Sequence, residues 1–70
     1  MNQITSPMPG KINKVLVRAG DKVTAETQVL IHEAMKMENA IVAGSEGTIV
    51  EISIAEGDSV ELGQVLMTLG

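Results

Sequence analysis

Few side chains in this chain can do acid–base or nucleophilic chemistry. They are four lysines (Lys11, Lys14, Lys22, Lys36), Arg18, nine carboxylates and a single histidine, His32; there is no cysteine. Without a thiol there is neither a disulfide nor a thiolate site. One histidine builds no metal centre alone, and no nucleophile–base pair can be assembled, so a catalytic role is disfavoured. An ordinary lysine, with a pKa of about 10.4, is neutral in roughly one molecule in a few thousand at pH 7. Selective chemistry on one lysine must therefore come from how an enzyme receives a presented amine, not from intrinsic nucleophilicity. One lysine stands apart by context. Lys36 lies between Met35 and Met37, with Glu33 and Glu38 further out. Flexible, polarizable thioethers on both flanks are adaptable contact groups.

An internal repeat shows which elements must position that lysine. A shift of 37 residues lays Ile4 on Ile41, Gly10 on Gly47, Ile12 on Ile49, Gly20-Asp21 on Gly57-Asp58 and Val23 on Val60. A gap of one residue then lays Gln28-Val29-Leu30 on Gln64-Val65-Leu66, giving nine identities in one order. Two copies are too few for a solenoid, and a closed pseudo-twofold unit fits better. Each copy reads as β: Val15-Leu16-Val17 and Ile52-Ser53-Ile54 are rich in β-branched residues. Ile12 and Ile49 break the alternation at matching places, which predicts a bulge or bend at each. Gly20-Asp21 and Gly57-Asp58 are turn dipeptides, and Pro7-Met8-Pro9-Gly10 makes a rigid corner. Short strands at regular spacing predict a small sandwich or flattened barrel.

The pseudo-symmetry also places the middle of the chain. The N- and C-terminal segments should pair at one end. Their counterparts, Ile31 to Ala34 and Glu38 to Val42, are joined through Met35-Lys36-Met37. The expectation is a tight hairpin centred on Met35-Lys36, remote from the termini. Local turn chemistry opposes this, because a two-residue hairpin favours Asn-Gly or Asp-Gly, with positive φ twice. Such conflicts between local rule and global pattern concentrate at functional sites.

Composition sets the outer bounds. Seventy residues with 44% hydrophobic content, no aromatics and a mean hydropathy of +0.23 allow one small packed domain over residues 1–70. A net charge of −4, without arginine clusters or stacking aromatics, disfavours nucleic acid. Apolar runs such as Val29-Leu30-Ile31 fall far short of the roughly 20 residues of a membrane span. Met1-Asn2-Gln3 opens without a basic and apolar leader, so a cytoplasmic chain is expected.

Glu33-Ala34-Met35-Lys36-Met37-Glu38-Asn39 closely resembles the attachment site of biotin carboxyl carrier (biotinyl) domains, whose hallmark is Ala-Met-Lys-Met. Ser6-Pro7-Met8-Pro9-Gly10-Lys11-Ile12 is similar to the family's leading corner, and both Gly-Asp turns match. The resemblance covers nearly all of the chain. It implies an all-β flattened barrel, a barrel-sandwich hybrid of two four-stranded antiparallel sheets. It implies covalent biotin on Lys36, with Ala34, Met35 and Met37 as flanking recognition residues and no metal. It implies a non-catalytic swinging arm. A biotin protein ligase would couple biotinyl-adenylate to Lys36, and a biotin carboxylase would load the ring. The arm would then carry CO₂ to a carboxyltransferase, or receive it from a decarboxylase. The isolated domain is expected to be a monomer.

Plainer readings stand beside these. Lys36 could be a solvated strand residue, and Met35 and Met37 could be core, since the interior lacks aromatics. Glu33 and Glu38 read as solvated hairpin charges before ligase contacts. His32 stands where the family places an apolar residue, and reads as structural or surface rather than as a proton carrier. A lipoyl domain shares the fold and the lysine tip, but its motif resembles Asp-Lys-Ala and lacks the methionine pair. A non-acylated structural or interaction module remains the alternative of a different class.

Overall fold

A computed structural model describes residues 2–70. It contains eight strands: β1 (Asn2–Thr5), β2 (Gly10–Val15), β3 (Lys22–Val23), β4 (Gln28–Ala34), β5 (Met37–Val42), β6 (Gly47–Ile52), β7 (Ser59–Val60) and β8 (Val65–Leu69). They form two four-stranded antiparallel sheets, ordered β1-β8-β6-β3 and β5-β4-β2-β7. The repeat maps one order onto the other strand by strand. Each sheet takes two strands from one copy (β2 and β4, or β6 and β8) and two from outside it. β3 of the first copy completes the second copy's sheet, and β7 of the second completes the first's.

Both anticipated bulges are present. Register shifts fall between Ile12 and Lys14 and between Ile49 and Glu51, leaving Asn13 and Val50 as the extra residues. The bulges turn Ile12 and Ile49 into the core, where both are fully buried. The Gly-Asp turns dock on these same isoleucines. The Gly20 amide donates to the Ile49 carbonyl (2.7 Å) and the Ile49 amide to the Asp21 carbonyl (2.8 Å). The second copy repeats this: Gly57 donates to Ile12 (2.8 Å) and Ile12 to Asp58 (2.8 Å). Within the turns, the Asp21 carboxylate accepts from the Arg18 amide and the Asp58 carboxylate from the Ala55 amide, each at 2.9 Å. Replacing either aspartate with alanine should cost about 1 kcal/mol, the net worth of an exposed turn bond. The two losses should agree within about 0.5 kcal/mol by urea unfolding, because the bonds are equivalent. A markedly unequal pair would contradict that equivalence.

The strands differ from expectation in extent. The ladders open at Gly10 and Gly47 and close at Val15 and Ile52, so Leu16-Val17 and Ser53-Ile54 lie beyond them. A last bond continues from each, Leu16 to the Val29 carbonyl and Ser53 to the Leu66 carbonyl, both 2.9 Å. The offset of 37 thus holds through β4 and β8, so Val29 answers to Leu66 and Gln28 to Val65, and the one-residue gap that matched Gln28 to Gln64 is not present in the fold. The chain then bends toward the Gly-Asp turns, while Val17 and Ile54 still pack on the core. One apolar cluster spans both copies, with Ile12, Val29, Leu30, Ile49, Leu66 and Met67 at its centre. Met67 is a flexible gap-filler where no aromatic ring is available.

Asn2 pairs with Leu69, so the terminal strands are neighbours, as the symmetry requires. β8 starts beside the corner at Ser6, whose amide donates to the Gln64 carbonyl (2.9 Å), and runs away from it to that terminal end. The corner therefore lies at the opposite end, together with the β4–β5 turn. The molecule is elongated, 30 × 18 × 17 Å.

Candidate functional site

The β4–β5 ladder runs without a break from Leu30↔Ile41 to the closing pair Ala34↔Met37, which leaves Met35 and Lys36 as a two-residue turn. Both have positive φ, 53° and 64°, and they are the only non-glycine residues with positive φ among those described. This is the type I′ geometry that the right-handed strand twist selects. A side chain in the left-handed region costs roughly 1–2 kcal/mol per residue. The long paired hairpin enforces it twice. Met35→Asn suits that backbone better and should stabilise the domain by about 0.5–1 kcal/mol, a rise in melting temperature of several degrees. An unchanged or lower melting temperature would show that the tip is unstrained.

Strain at the tip is matched by exposure. Met35 is 87% exposed and Met37 64%, which overturns the reading of either as core. Position accounts for this: Ala34 and Met37 are directly opposite and share a face, but Ala34 is covered, whereas Met37 begins the edge strand β5 at the last pair before the turn. Lys36 is exposed at the apex. Glu33 and Glu38 are both exposed and sit directly opposite one another. Facing like charges weaken a ladder, so this pair favours an acidic collar below the lysine over hairpin stability. Of the residues expected to act together, Met35, Lys36 and Met37 are presented and Ala34 is their buried footing. A group joined to the lysine amine fits here, since Lys36 is exposed in the two-residue turn.

His32 is fully buried and therefore not a surface residue. Its Nε2 lies 3.2 Å from the Met8 carbonyl. A carbonyl only accepts, so Nε2 carries the proton, and the buried Nδ1 has no partner among the described residues. The ring ties β4 to the corner, where the Ser6 hydroxyl also donates to the Met8 carbonyl (2.6 Å). Gly10 makes room for it. A Cβ on Gly10 would stand 2.3 Å from His32 Nε2 and 2.4 Å from the Glu33 carbonyl oxygen. Sequence reasoning missed this contact, because 22 positions separate the two residues and neither carries a motif for it.

The family model described as "Biotin-requiring enzyme", of the biotin/lipoyl class, matches residues 2–69. The chain is 48% identical over 68 residues to a biotin carboxyl carrier protein of Streptococcus mutans, covering 97% of this chain and 52% of the relative. It is 39% identical over 66 residues to the alpha chain of human mitochondrial propionyl-CoA carboxylase, covering 94% of this chain and 9% of that one. Among solved structures it superposes on urea carboxylase of Kluyveromyces lactis with a TM-score of 0.92 and 32% identity, covering 99% of this chain and 6% of that one. The chain thus spans about half the length of the carrier protein and under a tenth of the two carboxylase chains.

Proposed function

Because the chain belongs to the biotin/lipoyl attachment family, we propose that Lys36 is its attachment residue and that its tip is the moving part of a biotin carboxyl carrier. The domain is a non-catalytic carrier of covalent biotin serving biotin-dependent carboxylases. The observation that carries the assignment of Lys36 is its position at the apex of a strained turn, with exposed thioethers on either side.

Attachment requires a biotin protein ligase and biotinyl-adenylate. Lys36 Nζ, having given up its proton, attacks the acyl carbonyl. The amide C–N bond forms, the bond to the phosphate oxygen breaks, and AMP leaves. The chain's contribution is presentation: the turn holds the amine clear of both sheets, Met35 and Met37 offer pliable apolar contact, and Ala34 anchors the apex. Biotin, once attached, supplies a ureido nitrogen that takes up and gives back a carboxyl group. The partners proposed are a biotin carboxylase and a carboxyltransferase or decarboxylase. We also propose that residues 1–70 act as one domain, monomeric in isolation and cytoplasmic. The single core through both repeats supports the first point.

The test is to incubate the chain with a biotin protein ligase, ATP and biotin, then locate the adduct by peptide mass mapping. One adduct, on Lys36 alone of the four lysines, is expected. An adduct on Lys11, Lys14 or Lys22 overturns the assignment. No adduct, where a known carrier is labelled, overturns the carrier reading and turns attention to lipoate. Attachment makes the lysine a neutral amide, taking the formal charge from −4 to −5, and leaves the fold unchanged.

A further inference from the structure

The barrel has two pseudo-equivalent ends built to one plan. At the lysine end the chain turns through Ser6-Pro7-Met8-Pro9 and through Glu61-Leu62-Gly63-Gln64. At the terminal end the counterparts are Ala43-Gly44-Ser45-Glu46 and Thr24-Ala25-Glu26-Thr27. Their hydrogen bonds correspond: Ser6 donates to Gln64 and Ala43 to Thr27, each at 2.9 Å, and Gln64 donates to Glu61 (3.0 Å) as Thr27 does to Thr24 (3.1 Å). The side chains do not correspond. Met8 occupies the place of Ser45, Pro9 that of Glu46, and Leu62 that of Ala25. Leu62 is 70% exposed and Met8 38%. Since small and polar residues complete the same turns at the other end, the fold does not demand these apolar ones. With Met35 and Met37, the lysine end holds four of the seven exposed large hydrophobics among the described residues.

The Met8–Leu62 shelf lies within reach of Lys36. The Met8 carbonyl meets His32, Gly10 abuts the Glu33 carbonyl, and Val60, two residues before Leu62, pairs with Gly10. From Glu33 to Lys36 is three residues of strand and turn, roughly 10 Å. The lysine methylenes, the amide and the valeryl methylenes in series span a longer distance. A tethered group also meets this surface at an effective concentration near the millimolar range, so weak apolar contact suffices.

We propose that the shelf of Met8, Pro9 and Leu62 is a resting site for the apolar part of the group carried on Lys36: its aliphatic chain and the thioether face of its bicyclic ring. The arm folds back over the end of β4 when no partner holds it. Polarizable Met8 contacts the ring sulfur side, and Leu62 covers the chain. The ureido edge stays in water. The proposal rests on Lys36 being the attachment residue.

The test uses the full biotinylated chain with ¹³C-labelled methionine and leucine methyls. Intact mass first verifies a single biotinyl adduct. The Met8 and Leu62 methyl resonances are then expected to shift relative to the unmodified chain, with nuclear Overhauser contacts to the ring protons. Leu62→Ser, at an exposed position, should abolish both effects while the adduct still forms. The proposal is overturned if ring contacts reach only Met35 and Met37, or if Leu62→Ser leaves the shifts in place. It is equally overturned if the shifts grow with protein concentration, which would assign the shelf to a second copy. Failure to form the adduct would instead sink the attachment reading beneath it.

Discussion

Lys36→Arg is expected to remove the biotinyl adduct completely while moving the melting temperature by no more than about 2 °C, a change worth well under 1 kcal/mol for a domain of this size. Arginine keeps the positive charge, the length and the left-handed backbone cost at the apex, so the tip should persist. What it lacks is an amine that can be deprotonated, because a guanidinium stays charged in proteins. The substitution therefore separates chemistry from presentation. Exchanging neighbours, with Lys36→Met combined with Met37→Lys, makes the complementary test. The amine remains, but moves from the apex to the closing pair beside Ala34, and labelling should fall at least a hundredfold, as effects of misplaced reacting atoms do. If the exchanged chain is labelled at the native rate, presentation by the turn is not what the ligase reads.

Gly10→Ala should lower stability by about 3 kcal/mol, at the upper end of overpacking losses. A chain of this length has roughly 4–10 kcal/mol in hand, so thermal unfolding should begin more than 10 °C earlier. At an open strand site the same change would be mildly stabilising. Here the added carbon meets two obstacles at 2.3 and 2.4 Å, His32 Nε2 and the Glu33 carbonyl oxygen. His32→Ala in the same chain removes the first but not the second, which belongs to the backbone. Rescue should be partial. At the repeat mate, Gly47, an added carbon would meet the Gly70 carbonyl oxygen at 3.1 Å, a contact that a small shift relieves, so Gly47→Ala should cost much less. A loss below about 1 kcal/mol for Gly10→Ala would show that the corner yields freely.

The repeat made most of this architecture legible. Symmetry placed the hairpin tip, the neighbouring terminal strands and the two bulges, and each is present. It did so because identical turn and core residues recur at a fixed offset, and a closed barrel allows few ways to satisfy two equal halves. Where the halves diverge, symmetry offered less guidance. His32 was read without its partner, because burial of a histidine depends on a carbonyl and a side-chain-free glycine brought together by the corner. The strand limits at Val15 and Ile52 also escaped, since β-branched residues that pack without laddering look the same as those that ladder. Met35 and Met37 could have filled an aromatic-free core. Their exposure comes from where the hairpin ends, with Met35 in the turn and Met37 at the last pair of an edge strand. Leu62 and Met8 carried a usable signal, each being apolar where its repeat mate is small or polar.

The crossing of β3 and β7 into opposite sheets has a consequence for how the molecule comes apart. Neither copy owns a complete sheet, and each docks its Gly-Asp turn on the other's bulged isoleucine. The halves clasp one another like hooked fingers, so releasing one strands the other's short strand and opens the shared interior. Melting should accordingly be cooperative, with no half-folded species in between. The apex, held by its own ladder alone, can then be handled by large enzymes while amides deep in both halves exchange only through that single global event.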